Sequence, residues 1–140
     1  MRLLISTLVL FLTVAASPQL IASAGDQVIG EWRGTSLCTN LKKAPACKDE
    51  QVRYVFTRNA DATDTYHLAA DKLVSGSYEP MGEIDLVYSA ADATWSFEFN
   101  TPNCAKCRWW YRLNAKDLIG GLTDQSGEQL RKVLVQRHVP

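Results

Sequence analysis

After residue 24, the sequence is dominated by short runs in which apolar and polar residues alternate with a period of two. In the run 51–58, for example, Val52, Tyr54 and Phe56 fall on one face of an extended chain. Successive side chains of a β-strand point to opposite faces, so such runs are typical of strands that bury one face. Strand-like runs occur at 28–37, 51–58, 65–70, 72–78, 83–88, 94–100, 108–113, 118–122 and 130–137. The sequence therefore predicts an all-β domain.

Turn signals lie between these runs and indicate how the strands connect. Segments rich in Gly, Pro, Asn, Asp and Ser occur at 58–61, 75–77, 80–82, 101–103, 114–117 and 124–127. Such short connections favour antiparallel neighbours in up-and-down order, and closure of the sheet removes its edge strands. We predict a closed antiparallel up-and-down barrel of about eight strands, whose interior is filled by side chains or holds one small ligand. A two-sheet sandwich is the alternative.

The first segment has the character of a targeting signal. Arg2 precedes an apolar stretch over 3–16, and Ala22-Ser23-Ala24 has the small-x-small form of a cleavage site. The apolar stretch is shorter than the roughly 20 residues that a membrane-spanning helix needs. We therefore predict a signal peptide at 1–24 and a single mature domain at 25–140, secreted or periplasmic and without a membrane span. An uncleaved membrane anchor is the alternative.

The charge balance narrows the range of partners. The chain has 15 Lys and Arg residues and 15 Asp and Glu residues, which gives a formal net charge of zero. Its basic residues are scattered and form no block. A neutral chain of this kind is not expected to bind nucleic acid or an anionic membrane as its main partner.

Four cysteines are present, at Cys38, Cys47, Cys104 and Cys107. An even count in an exported protein indicates two disulfides. We favour Cys38–Cys47 and Cys104–Cys107, because each closes a short loop, and cross-pairing of the two clusters is the alternative. A C-x-x-C pair can also form a redox or metal site, but here it leads into a strand-like run rather than a helix. We therefore interpret it as a structural disulfide and expect no metal.

The two ends of the domain carry a further pattern. Gly30-Glu31-Trp32 opens the first run and Arg137 closes the last. This pattern resembles the calycin group, which includes lipocalins, fatty-acid-binding proteins and avidins. The resemblance implies a lipocalin-like barrel in which Trp32 packs at the closed end under Arg137; an ordinary core Trp with an exposed Arg is the alternative. The segments 32–36, 47–50, 81–82 and 131–133 are more loosely similar to small secreted bacterial proteins.

The interior of a small barrel is the natural candidate for a binding site. The candidate ligand contacts are the aromatic residues of the alternating runs, namely Tyr54, Phe56, Tyr66, Trp95, Phe97, Trp109 and Tyr111. The same residues can instead simply fill the core. We expect the protein to bind a small apolar or amphipathic ligand. The alternative is an extracytoplasmic protein-binding or inhibitor module that uses its disulfide-closed loops, with Lys42, Lys43 and Lys106 as contacts.

No catalytic pattern stands out in the sequence. The nucleophile motif G-x-S-x-G is missing, and the two histidines, His67 and His138, lie on a strand-like run and near the C-terminus. No assembled triad, acid–base pair or metal set is evident. The expectation is a protein that is not an enzyme and carries no cofactor.

Overall fold

The computed structural model describes residues 22–140, so the predicted signal peptide at 1–24 lies almost entirely outside the described residues. Eight strands account for most of the described chain. They are β1 (Gly30–Cys38), β2 (Glu50–Arg58), β3 (Thr65–Val74), β4 (Ser77–Ser89), β5 (Thr94–Thr101), β6 (Cys104–Asn114), β7 (Asp117–Thr123) and β8 (Gln129–Arg137). A short 3₁₀ helix, Ala24–Val28, precedes β1.

The strands pair in chain order, and the last strand returns to the first. Every neighbouring pair is antiparallel, and the sheet closes into a barrel. In the closing pair, Trp32 of β1 lies opposite Arg137 of β8, and Cys38 lies opposite Arg131. The predicted closed up-and-down barrel is confirmed, and the two-sheet sandwich is excluded.

Large side chains fill much of the barrel interior. The buried residues that form this core are Val28, Trp32, Val52, Tyr54, Phe56, Tyr66, Leu68, Leu86, Trp95, Tyr111, Leu118, Val133 and Val135. Several rings meet edge to face, with centroids 6.5 Å apart for Tyr66 and Trp95 and 5.7 Å apart for Phe56 and Tyr111. This geometry places the positive edge of one ring on the negative face of another and stabilises the packing.

The β3–β4 hairpin differs from its prediction. The runs 65–70 and 72–78 were expected to be separate strands, whereas β3 continues to Val74 and β4 begins at Ser77. The chain turns at Ser75 and Gly76, which both have positive φ. A two-residue connection of this kind joins antiparallel strands tightly, because its twist matches that of the sheet. The first run therefore forms the body of β3, and the second run covers the end of β3, the turn and the start of β4.

The turn expected at 80–82 lies inside β4 instead. Gly82 pairs with Ala70 and Pro80 pairs with Asp71, so Met81 is the extra residue of a β-bulge. Pro and Gly are common both in turns and at bulges, which is why their presence in the sequence indicated a turn. The bulge lets β4 bend at this point without leaving the sheet.

One seam of the barrel is much shorter than the others. β4 and β5 join through three residue pairs, from Ser89 with Thr94 to Val87 with Ser96. Beyond the last pair the two strands part, while β5 continues along β6 as far as Thr101. The barrel is therefore closed at every seam but only briefly between β4 and β5.

Candidate ligand site

One end of the barrel is sealed around Trp32. The indole is 1% exposed, and its Nε1 donates to the carbonyl oxygen of Val28 at 2.8 Å. The Arg137 guanidinium lies 4.3 Å from the Trp32 ring centre and donates to the carbonyl oxygens of Gln27 and Ile29. A cation over the face of an indole is attracted by the ring quadrupole. The contact that the calycin resemblance implies for Trp32 and Arg137 is thus present.

The 3₁₀ helix completes this seal. The Nε1 of Trp95 donates to the carbonyl oxygen of Gly25 at 3.1 Å, and the Tyr66 hydroxyl donates to the Asp26 carboxylate at 2.9 Å. Arg58 of β2 also donates to Asp26. The hydrogen bond from Arg58 lowers the pKa of Asp26 from its ordinary value, and the bond from Tyr66 adds to the effect. Buried aromatic rings and the hydrogen-bonded carboxylate of Asp26 therefore stabilise the Trp32 end of the barrel.

Both disulfides are local, as the sequence favoured. Cys38 is bonded to Cys47, and Cys104 to Cys107. The first closes the loop between β1 and β2, and the second lies at the start of β6, with Cys107 fully buried. No cysteine among residues 22–140 is free. The C-x-x-C pair is therefore a strand-bound disulfide, without the helix N-terminus that activates redox cysteines.

A cavity of about 260 Å³ lies in the other half of the barrel interior. Most of its apolar lining comes from β3, β4 and β6, and most of its polar lining from β1, β2 and β8. The lining residues are Ser36, Glu50, Tyr54, Leu68, Ala70, Met81, Gly82, Glu83, Ile84, Trp109, Tyr111 and Arg131. Ser36 lies four residues beyond Trp32 on β1, which is about 13 Å along an extended strand. The cavity therefore extends away from the sealed end, and Tyr54, which pairs with Trp32, lies where the two parts of the interior meet.

Arg131 organises the polar wall. Its Nε donates to Ser36 Oγ at 2.9 Å, and its Nη2 contacts the carbonyl oxygens of Ser36 and Lys48 and the carboxylate of Glu50 at 2.9–3.0 Å. Its Nη1 lies against the sulfur of Cys47. The side chains of Arg131 and Glu50 are only 14% and 23% exposed. Arg131 thus joins three strands to the segment that follows the Cys38–Cys47 loop and is neutralised by Glu50.

Two tyrosine hydroxyls continue this polar wall. Burial raises the pKa of Tyr54, although hydrogen bonding with Ser36 and the charge of Arg131 oppose the rise. Burial raises the pKa of Tyr111 well above its ordinary value, and the neighbouring Tyr54 adds to it. The rings of Tyr54 and Tyr111 pack edge to face at 5.8 Å. Both phenols therefore stay neutral through the physiological pH range and act as hydrogen-bonding groups.

Only some of the aromatic residues that the sequence predicted as ligand contacts line the cavity. Tyr54, Trp109 and Tyr111 line the cavity. Phe56, Tyr66 and Trp95 do not; they are at most 2% exposed and form the packed core toward the sealed end. Phe97 is partly buried, packs beside the core and stacks on Phe99 at 5.9 Å without lining the cavity. The inward face of the barrel thus serves as core at one end and as cavity wall at the other.

The sequence interpretation did not include the polar wall of the cavity. Ser36, Glu50 and Arg131 were not expected there, because polar residues in a strand are usually assigned to the outer face. The alternation itself carried the signal, since Ser36 shares the parity of Trp32 and Arg131 that of Val133 and Val135. Strict period-two counting places all of them inward.

The loop residues considered for protein binding are differently engaged. Lys43 forms ion pairs with Asp124 and Glu128, and these hydrogen bonds raise the pKa of its ammonium. Lys42 and Lys106 are exposed. Lys43 therefore ties the β1–β2 loop to the β7–β8 turn and is not presented freely to a partner.

The histidine on β3 lies on the outer surface. His67 contacts Asp85 at 2.9 Å and Glu83 at 3.5 Å, and all three side chains are well exposed. Over residues 22–140, no three His, Cys, Asp or Glu side chains are grouped so as to hold a metal ion. In the same range, no helix is long and apolar enough to cross a membrane.

Comparison with known proteins identified no relative of this chain. No protein-family model, curated protein or solved structure matches this chain. The relationship to calycins accordingly stays a prediction that rests on Trp32, Arg137 and the barrel.

Proposed function

We propose that this protein is an exported binding protein that holds a small apolar or amphipathic molecule inside its barrel. The observation that carries the proposal is the cavity of about 260 Å³ next to a fully packed core. Natural ligand sites have volumes of roughly 300–1,000 Å³, and an apolar cavity of about 150 Å³ already admits benzene. The expected occupant is therefore one ring with a substituent, or a short alkyl chain.

The composition of the wall supports such an occupant. Leu68, Ala70, Ile84 and Trp109 supply apolar surface, and several of the polar groups, including Ser36 and Glu50, lie around Arg131. Ligand sites commonly combine an apolar wall with a few placed polar groups that orient the molecule. The two disulfides support export, because such bonds persist in oxidising compartments. The stack of Arg137 on Trp32 supports the proposed likeness to lipocalin-like barrels.

The proposal is tested by titrating toluene into the protein while the methyl signals of Leu68, Ala70 and Ile84 are followed by nuclear magnetic resonance. Ala70→Leu places added volume in the cavity, whereas Ala69→Leu makes the same change at the neighbouring position of opposite parity. We expect saturable shifts in the wild type and in Ala69→Leu, and their loss in Ala70→Leu. Absence of shifts in the wild type, or equal shifts in Ala70→Leu, would contradict the proposal.

The protein-binding alternative has less support. One of its candidate contacts, Lys43, is occupied by Asp124 and Glu128, whereas Lys42 and Lys106 are exposed. The cavity, by contrast, has a mostly apolar wall in which Leu68, Ala70 and Trp109 are available to a molecule that enters it. We therefore retain a small-molecule ligand as the proposed function.

A further inference from the structure

The polar wall of the cavity has a specific electrostatic character. Arg131 and Glu50 form its ion pair, with 3.0 Å between Nη2 and the carboxylate oxygen. Glu83 also lies at the rim, but its side chain is 68% exposed and contacts His67 on the outer surface. The opposite charges of Arg131 and Glu50, which face the cavity, therefore neutralise each other.

Most donors of Arg131 are already used within the protein, and Glu50 neutralises its charge. Nε and Nη2 together contact Ser36, Lys48 and Glu50, and Nη2 alone contacts three oxygen acceptors. Nη1 is turned to Cys47, which is not part of the cavity wall. A ligand carboxylate would therefore have to displace Glu50 or leave its own charge unpaired. Burying an unpaired charge is far more costly than burying a neutral polar group.

A neutral hydrogen-bond acceptor on a ligand, in contrast, can accept from hydroxyl groups of the cavity wall. Ser36, Tyr54 and Tyr111 all line the cavity, and the hydroxyl of each carries one proton. Ser36 Oγ accepts from Arg131 Nε at 2.9 Å, so that bond leaves the proton of Ser36 unused. The cavity wall therefore offers hydroxyl donors to a neutral acceptor on a ligand.

We infer that the ligand is an uncharged molecule with a single ring or short chain that carries a carbonyl or ether oxygen directed at the Ser36, Tyr54 and Tyr111 hydroxyls. This inference rests on the proposed function, because it describes the occupant of the same cavity. Its apolar part packs on Leu68, Ile84 and Trp109. The Arg131–Glu50 pair acts as the specificity element that rejects carboxylates.

Three probes of similar shape test the inference at neutral pH: acetophenone, benzoate and toluene. One added hydrogen bond of about 1 kcal/mol corresponds to roughly 5-fold in affinity, so acetophenone is expected to bind about 5-fold more tightly than toluene. Benzoate is expected to bind at least about 10-fold more weakly than acetophenone, because its charge is desolvated without a partner.

A variant that removes the charge of Glu50 tests the preference for uncharged ligands separately from ligand binding itself. Glu50→Gln keeps the side-chain size but leaves Arg131 without its counter-charge, so benzoate is expected to gain about 10-fold or more in affinity relative to acetophenone. Glu98→Gln removes the same charge at an exposed position of β5 that does not line the cavity, and serves as the matched control. Calorimetry and the methyl shifts give the affinities.

Each result decides one of the two claims. Tighter binding of benzoate than of acetophenone by the wild type, or no gain for benzoate in Glu50→Gln, overturns the inference and leaves ligand binding intact. Failure of all three probes to bind overturns the proposed function, and the inference falls with it. The expected order, with the gain for benzoate in Glu50→Gln and none in Glu98→Gln, supports both.

Discussion

At the scale of single residues, the two inward-facing arginines of β8 perform opposite tasks. Arg137 covers the Trp32 ring and donates to two backbone carbonyls, so it closes the packed end. Arg131, six residues earlier on the same face, is paired with Glu50 and forms part of a cavity wall. A guanidinium suits both positions, because its planar array of donors can stack on a ring and bind several oxygens at once.

The role of Arg137 leads to a prediction about stability. Arg137→Ala removes a cation–π contact and two charge-assisted hydrogen bonds, and we expect a loss of about 1–2 kcal/mol. Urea unfolding of residues 25–140 measures this loss. Arg137→Lys keeps the charge without the planar fork, so it should recover only part of the stability. An unchanged midpoint for Arg137→Ala would show that the stack does not stabilise the barrel.

Asp26 predicts part of the acid sensitivity. Arg58 and Tyr66 lower its pKa in the folded protein below the unfolded value of about 3.9. A lowered carboxyl pKa stabilises the fold above the unfolded value, and this stabilisation is lost as the pH falls through the folded value. We expect Asp26→Asn to lose less stability than the wild type between pH 5 and pH 2, measured by thermal unfolding. The exposed Asp61→Asn is the control, and identical pH profiles for Asp26→Asn and the wild type would reject the prediction.

At the scale of elements, the period of two was enough to predict most of the strands and many of the apolar residues that face inward. The same parity that buries Val133 and Val135 points Arg131 into the barrel. The alternation did not indicate that Arg131 meets Glu50 and Ser36, because such meetings depend on how far neighbouring strands are staggered around the barrel. It also could not distinguish core from cavity, which depends on whether opposite side chains reach one another. Pro80 and Gly82 were misread because turns and bulges share these residues.

The two disulfide-closed loops should differ in their contribution to stability. Cys38 and Cys47 are nine residues apart, and Cys104 and Cys107 three. In the chain-entropy model, the first then stabilises by about 3 kcal/mol and the second by about 2 kcal/mol. We expect the double alanine variant of Cys38 and Cys47 to lose more stability in guanidinium unfolding than that of Cys104 and Cys107. The reverse order would show that packing of the buried Cys107 outweighs loop entropy.

At the scale of the whole molecule, the packed core and the cavity lie toward different ends of one barrel. The large buried rings, the 3₁₀ helix and Arg137 collect around Trp32. The cavity lies beyond them, where smaller residues such as Ala70 and Gly82 leave space. An empty space lined by side chains costs packing energy, so a rigid opposite end is what allows the fold to maintain it.

The short β4–β5 seam predicts where this barrel opens first. Beyond Val87 and Ser96, neither strand has the other as a partner, so amides there that point across the seam lack a ladder hydrogen bond. Local opening requires the least free energy where such bonds are missing. In hydrogen–deuterium exchange of the native protein, we expect the amides of residues 78–85 and 97–101 that point across the seam to exchange faster than the paired amides of residues 33–37 and 132–136 in the closing β1–β8 pair. Mild urea below the unfolding transition should widen this difference, because the seam opens without the rest of the barrel. Slower exchange at the seam than in the β1–β8 pair would mean that the barrel opens where its first and last strands meet.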